Sequence, residues 1–488
     1  MATRERRKIS AVDTAWLRMD RPSNLMMICG VLMFREKISL ARLREVIKER
    51  FLTFERFRQR PVDGAFWENV THVDIDKHVG VVRLPGRAGK RELEARVSRL
   101  VATPLPPARP LWQFELVENY EHGSAVIVRI HHCYADGIAL VRVLLSMTDA
   151  GANGPPAMPF AAHEKRARAS DRDDDPLAEL LQPFAGALSS ARKVGSMLVD
   201  AGAGIWRDPL QAIRLADQGT SLMTEVAKLA LMGEDSPTRF KGTPSREKRV
   251  AWADPLPLDE VKTVGRALGA SVNDVLLACV AGALRGYLAS KGDDVDAHFV
   301  RALVPVNLRP MEEAYRLGNR FGLVFLDLPL GVENPVERLY AVRENMSALK
   351  GSYQPIVALG ILAAMGSGPL VLQEALLGAL AKNATAVMTN VPGPQQTLWL
   401  AGAAIDSLMF WVPQSGNIGM GVSIISYRGS VQFGVVTDRG LCPDPVRIVD
   451  RFAGEFEKLL LSTLMSPWPR DGDLDPRDVA RAVGVSVG

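Results

Sequence analysis

Ala125-Val126-Ile127-Val128-Arg129-Ile130-His131-His132-Cys133-Tyr134-Ala135-Asp136-Gly137 changes character halfway: an apolar, β-branched run ends in two histidines, and a helical pattern follows from Gly137 to Met147. The run predicts a strand over Ser124–His131 and the pattern a helix over Gly137–Met147. The histidines then stand at a strand-to-helix turn, where folds commonly place reactive groups. Side chains alternate along a strand, which puts Val126, Val128, Ile130 and His132 on one face and Ile127, Arg129 and His131 on the other. The two rings therefore face different surroundings and do not form a two-histidine metal site. On the turn alone, two polar residues closing a strand is as good a reading as a catalytic base.

Working outward, Ser39–Phe54 reads as a helix and Trp112–Glu118 as a strand. Leu258–Leu268, Val272–Leu288 and Pro335–Leu349 read as helices, and His298–Val306, Leu323–Leu328 and Ala384–Asn390 as strands. Gly421–Tyr427 and Val431–Thr437 form a hairpin through Arg428-Gly429-Ser430. Composition breaks most sharply at Ala150–Pro176, a charged, Pro-rich connector. After it, apolar residues from Leu181 to Leu198 and from Leu222 to Leu229 repeat at helical spacing. These patterns predict a mixed α/β protein of two halves, residues 1–149 and 246–488, joined by a linker and bridging helices over 150–245.

The 488 residues, 47% hydrophobic and 23% charged, suit a folded protein with a sizeable core. A net charge of +4 and 6% aromatic residues show neither the basic stripe nor the stacking platforms of a nucleic-acid protein. Cys29, Cys133, Cys279 and Cys442 form no C-x-x-C pair and the polar N-terminus has no apolar signal core, so a reducing, cytoplasmic setting is expected. Pro355 and Gly366-Ser367-Gly368-Pro369 break the apolar stretch Gly351–Gln373. The pieces fall short of the roughly 20 residues a span requires, so two buried or interfacial helices are expected.

Further short elements resemble one family. His131-His132-x-x-x-Asp136-Gly137 is the hallmark of the superfamily that contains chloramphenicol acetyltransferases and peptide-synthetase condensation domains. The chain resembles its bacterial wax ester synthase/diacylglycerol acyltransferase branch over almost its whole length. Ile9–Trp16 is similar to that family's opening segment, Pro110-Leu111-Trp112 to its PLW motif, and Ser271-Val272-Asn273-Asp274-Val275 to its Asn-Asp motif. Val304-Pro305-Val306-Asn307-Leu308-Arg309, Gly318-Asn319-Arg320 and Asn390-Val391-Pro392-Gly393-Pro394 follow in the family's order. Leu25–Gly30, where the family often has Pro-Met-His-Val-Gly, and the long connector depart from the pattern.

The resemblance implies two chloramphenicol-acetyltransferase-like halves with the active site between them, and transfer of a long-chain acyl group from acyl-CoA to a fatty alcohol or diacylglycerol. His132 is then the general base, because a neutral imidazole can take the hydroxyl proton at physiological pH. His131 is expected to be structural, and Asp136 a strut paired with an arginine, Arg58 being the candidate beside Arg56 and Arg60. Gly137 is expected to let the backbone approach the pocket. Asn273 either donates to the oxyanion or orients the His132 loop, while Asn273 and Asp274 are also good helix caps. Acyl-CoA is a substrate, with no further cofactor, no metal and no nucleic-acid partner expected. Gly86–Arg91 is not a Walker loop. The apolar segments Gly351–Gln373 and Ser407–Tyr427 are candidates for substrate tunnels. The lipid substrates imply peripheral association with the inner membrane or lipid droplets, aided by the basic arm Arg4–Lys8. A condensation-type synthase fed by a carrier protein and a non-catalytic lipid-binding protein are the competing readings.

Overall fold

The computed structural model describes residues 6–152, 154–157, 232–296, 298–308, 317–350 and 352–466. Arg4, Glu5, Arg309, most of the charged connector and both expected bridging helices lie outside them. The first half runs β1 (Arg6–Lys8), α1 (Ala11–Arg18), β2 (Met27–Phe34), α2 (Leu40–Glu49), β3 (Gln59–Val62), β4 (Phe66–Asn69), α3 (Ile75–His78), β5 (Val79–Val82), α4 (Lys90–Val101), β6 (Trp112–Val117), β7 (Ser124–His131) and α5 (Gly137–Met147). The second runs β8 (Lys248–Trp252), β9 (Leu256–Pro257), α6 (Leu258–Ala267), α7 (Val272–Ser290), β10 (Phe299–Asn307), β11 (Phe321–Pro329), α8 (Pro335–Leu349), α9 (Gln354–Ser367), α10 (Leu370–Lys382), β12 (Ala386–Pro392), β13 (Trp399–Leu400), β14 (Ala403–Ala404), β15 (Ser407–Trp411), β16 (Met420–Tyr427), β17 (Ser430–Asp438) and α11 (Val446–Met465).

Two large sheets result, one per half. The first has the order β15-β2-β7-β6-β5, with β7 antiparallel to both β2 and β6. A central strand covered on both faces must be apolar throughout, which is why Ala125–Ile130 is nearly continuous in hydrophobic residues. The second sheet has the order β11-β10-β12-β16-β17-β8, with β9 also paired to β17. Its helix α7 is buried almost all round, and Gly282 within it leaves the space that the buried Arg338–Glu455 pair occupies.

Strand β15, which no sequence pattern marks, ties the halves together. It belongs by sequence to the second half yet pairs antiparallel with β2, placing Met409 opposite Val31 and Trp411 opposite Cys29. Gly351–Gln373 forms two helical pieces, α9 and the start of α10, as expected. They seat α1: a Cβ on Gly366 would lie 1.6 Å from the Ala11 carbonyl oxygen, so the helices cross at a distance only glycine permits. Arg18 adds a bond to the Gly368 carbonyl at 2.9 Å. Among the described residues one helix, α7, is long and apolar enough to cross a membrane, and most of it is packed inside the protein. The pair α8 and α9 reaches the same length only across a 64° bend.

Candidate active site

The turn after β7 hangs from both neighbouring strands. His131 N donates to the Leu111 carbonyl at 2.9 Å and His132 N to the Met26 carbonyl at 2.7 Å. Tyr134 anchors its far side, accepting from Leu111 N at 2.9 Å and donating to the Gln59 carbonyl at 2.8 Å. The neighbouring Trp112 indole is held by the Phe57 carbonyl at 2.8 Å. Pro110-Leu111-Trp112 is therefore the brace of the histidine turn. Asp136 ends it as the N-cap of α5: one carboxylate oxygen accepts from Ala139 N at 3.0 Å, and the other reaches across the halves to Arg320 N at 3.1 Å.

The histidines separate as strand alternation requires. His132 lines an apolar cavity between the halves, and His131 does not. The His132 ring stacks on Trp16, with centroids 4.1 Å apart and planes at 15°, and meets Phe321 at 5.7 Å. Its Nδ1 is sealed beside the residue's own carbonyl without a well-formed hydrogen bond, leaving Nε2 as the nitrogen toward the cavity. Burial pushes its pKa below the ordinary imidazole value, against the opposing pull of Asp136, its own carbonyl, Asn319 and Asp13. The ring is thus neutral at physiological pH. On the reverse face, His131 Nδ1 accepts from Cys133 N at 3.2 Å. Burial, with a smaller push from His132, takes its pKa down to about 3. The 3.9 Å approach of its Nε2 to Asp20 is accordingly a contact of a neutral ring, not an ion pair. The Cys133 thiol is buried and held well above the usual thiol pKa, so it offers no ready thiolate.

The cavity has a volume of about 270 Å³. Ile28, Gly30 and Leu32 of β2, Val128 and Ile130 of β7, and Leu140, Leu144 and Met147 of α5 make its first wall apolar except for His132 and Asp136 at the turn. The second wall adds polar groups: Asn307 of β10 and Thr389 and Asn390 of β12, beside Pro305, Val391 and Pro392. Ser407–Tyr427 contributes Leu408 to Phe410, Val412, Pro413 and Ile425, as expected of a tunnel segment. Among its described residues, Gly351–Gln373 contributes none of the lining, and Gly366 seats α1 instead. Gly137 lines the cavity, and a Cβ there would meet nothing within 4 Å, so its hydrogen faces open space. Gly393 turns the chain where a Cβ would press on the Ser426 carbonyl.

Two expected placements are corrected, those of Arg58 and Asn273. Arg58 is exposed, so it does not pair with the buried Asp136; its neighbour Arg56 reaches Asp13 at 3.4 Å. Asn273 does not line the cavity: its Nδ2 lies 4.0 Å from Met346 Sδ, and its Oδ1 accepts from Asn390 Nδ2 at 2.9 Å. Asn273 therefore stands outside the cavity lining and bonds Asn390, which does line the cavity. Asp274 is a capping residue, bonded to Ser271 N at 2.9 Å and Ser271 Oγ at 2.7 Å. Asn390 and Trp16 both fall within the ordered motifs, but a strand residue and a helix residue reveal their common cavity only once the halves meet. Among the described residues, no group of three or more His, Cys, Asp or Glu is placed to share a metal ion.

Residues 9–276 match the family model for the wax ester synthase/diacylglycerol acyltransferase catalytic domain, and residues 317–460 that for the WS/DGAT C-terminal domain. The chain is 30% identical over 414 residues to a putative diacylglycerol O-acyltransferase of Mycobacterium tuberculosis, covering 81% of this chain and 77% of the relative. It is 26% identical over 401 residues to a probable diacylglycerol O-acyltransferase of the same organism, covering 80% of each. Among solved structures, the wax ester synthase/diacylglycerol acyltransferase from Marinobacter aquaeolei VT8 superposes with a TM-score of 0.67 at 20% identity, covering 94% of this chain and all of that one. The first condensation domain of the CDA synthetase shares the fold at a TM-score of 0.56 and 15% identity, covering 94% of this chain and 97% of that one.

Proposed function

Because this chain belongs to the wax ester synthase/diacylglycerol acyltransferase family and is an acyltransferase, we propose that it moves a long-chain acyl group from acyl-CoA to a fatty alcohol or diacylglycerol, with His132 as general base. The observation that carries this reading is a neutral histidine with Nε2 toward a long apolar cavity between the halves. The acceptor hydroxyl gives its proton to Nε2 as its oxygen attacks the thioester carbonyl. The tetrahedral intermediate then collapses, the C–S bond breaks, and the thiolate of CoA takes the proton back from the imidazolium. A positioned base typically supplies about 10²–10⁴-fold. Direct attack needs no acyl-enzyme, in keeping with a Cys133 thiol held far from ionisation. Acyl-CoA is substrate, and no further cofactor enters.

Association with a membrane or lipid-droplet surface is part of the proposal, because the acceptors reside there. Leu370 and Val371 at the start of α10 are exposed, as are Leu461, Leu464 and Met465 at the end of α11. The basic arm is a weaker anchor than its composition suggests. Arg6 sits in β1, paired with β4, and its guanidinium lies 3.2 Å from Asp63 and 3.7 Å from Glu68. The test is thiol release from palmitoyl-CoA against hexadecanol, dipalmitoylglycerol and short alcohols, with the ester identified by mass. Release that depends on a long-chain acceptor supports the proposal. Turnover only with a carrier-bound acyl donor would favour the condensation-type reading, and none with any donor the lipid-binding one.

A further inference from the structure

Asp13 is a buried carboxylate on α1, in a segment whose role the reaction leaves unexplained. One of its oxygens accepts from Asn319 N at 3.2 Å and Asn319 Nδ2 at 2.8 Å, and the same Nδ2 donates to the His132 carbonyl at 2.8 Å. Both partners of that amide nitrogen can only accept, so the orientation of Asn319 is fixed by chemistry, with its Oδ1 left buried and unpartnered. The other Asp13 oxygen meets Arg56 at 3.4 Å, and that guanidinium lies over the Trp67 ring at 4.5 Å. Three remote segments thus converge behind the base. The backbone enforces the arrangement: Gly318, at φ +112°, holds a conformation that favours glycine and turns Asn319 toward Asp13, and Gly366 seats α1.

We propose that Asp13 is a positioning residue for His132: through Asn319 its carboxylate holds the histidine backbone in place, and its buried charge stabilises the imidazolium that forms during transfer. This rests on His132 being the base. The charged or titratable groups around the ring are Asp136 from the start of α5, His131 behind it and Asp13 from α1, with Arg56 beyond Asp13 and the buried Arg320, whose N–H meets Asp136, between Asn319 and Phe321; Trp16 and Phe321 pack on the ring itself. Asp136 caps its helix and joins the halves, so Asp13 is the carboxylate linked to the histidine's own carbonyl. Arg56 partly offsets it, and the two charges should therefore pull His132 in opposite directions.

That opposition gives the test. Asp13→Asn keeps an acceptor for Asn319 and removes the charge; Arg56→Gln keeps a donor to Asp13 and removes the opposing charge. The measurements are kcat and KM for palmitoyl-CoA across pH, and the titration of the His132 ring by NMR on ¹⁵N-histidine-labelled full-length protein, assigned with His132→Gln. Asp13→Asn is expected to lower the ring's pKa, move the acid limb of kcat/KM to lower pH and reduce kcat about tenfold, with KM within about twofold. Arg56→Gln is expected to shift ring and limb upward. Shifts of the same sign in both variants, or no shift in either, would overturn the proposal, since a merely structural pair loses activity without opposite titration shifts. Opposite ring shifts with unchanged rates would confirm the link and overturn the general-base reading instead. If Asp13→Asn fails to fold, the upward shift in Arg56→Gln decides alone.

Discussion

The two faces of the turn after β7 carry the same residue type in contrasting settings. On the cavity face, His132 has one nitrogen sealed and one directed to open space, is stacked on Trp16, and has carboxylates near enough to oppose the effect of burial. On the reverse face, Asp20 lies 3.9 Å from His131 Nε2 but does not offset burial: His131 accepts a backbone N–H from Cys133, and burial depresses its basicity to about pH 3. A buried imidazole becomes useful for proton transfer only where nearby negative charge keeps protonation within reach. Adjacent in sequence, the two rings differ by one step of strand alternation.

The contrast is most directly broken at its cavity face. His132→Ala is expected to lower kcat/KM for CoA release by about 10²–10⁴-fold while melting close to the parent; retention of more than a tenth of the activity would remove the base assignment. Asp136→Ala comes next, because it removes the cap on Ala139 and the bond to Arg320 N at once. A loss of about 1–3 kcal/mol in stability, with an accompanying loss of turnover, is expected from thermal melting and CoA release. An Asp136→Ala protein that melted like the parent yet was inactive would call for a direct chemical role.

The pH dependence sharpens the comparison further. Because the His132 pKa lies below its ordinary value, kcat/KM should stay flat as pH falls through about 6.5 and decline only below it. A midpoint above 6.5 would mean that the base is another group. The smallest effect on rate belongs to His131→Gln, expected within about threefold of the parent because its ring faces away from the cavity. Its signature is in stability. Between about pH 6.5 and the folded value of about 3, the unfolded chain binds a proton at His131 that the folded chain does not. Stability therefore falls with decreasing pH by up to about 1.4 kcal/mol per pH unit from this group, and none is lost above that window. His131→Gln should flatten the acid limb of chemical-denaturation stability by one proton, and an unchanged slope would show that His131 is not buried neutral.

Much of this was legible locally. Ser124–His131, Gly137–Met147 and Pro335–Leu349 end where their patterns predict, because β-branched runs, an aspartate cap and an Asn-Pro start act over a few residues. The opposite facing of the histidines also followed from strand period alone. The partners of Asp136 and Asn273 did not, because pairing across hundreds of residues depends on which elements pack together, and composition says nothing of that. Arg56 and Arg58 lie two apart in one short turn, yet one reaches Asp13 and the other lies exposed.

By itself the sequence determined the mixed α/β class, the turn that presents His132 and, through its ordered motifs, the family. Those features are encoded in spacing, and spacing survives without knowledge of the fold. Only the tertiary structure decided that β15 crosses into the first sheet, that Gly366 seats α1 while the described residues of Gly351–Gln373 stay out of the cavity lining, and that Asp13, Asn319 and His132 form one chain of contacts. Each is a meeting of surfaces far apart along the chain, set by the collective burial of apolar faces, which no local pattern specifies.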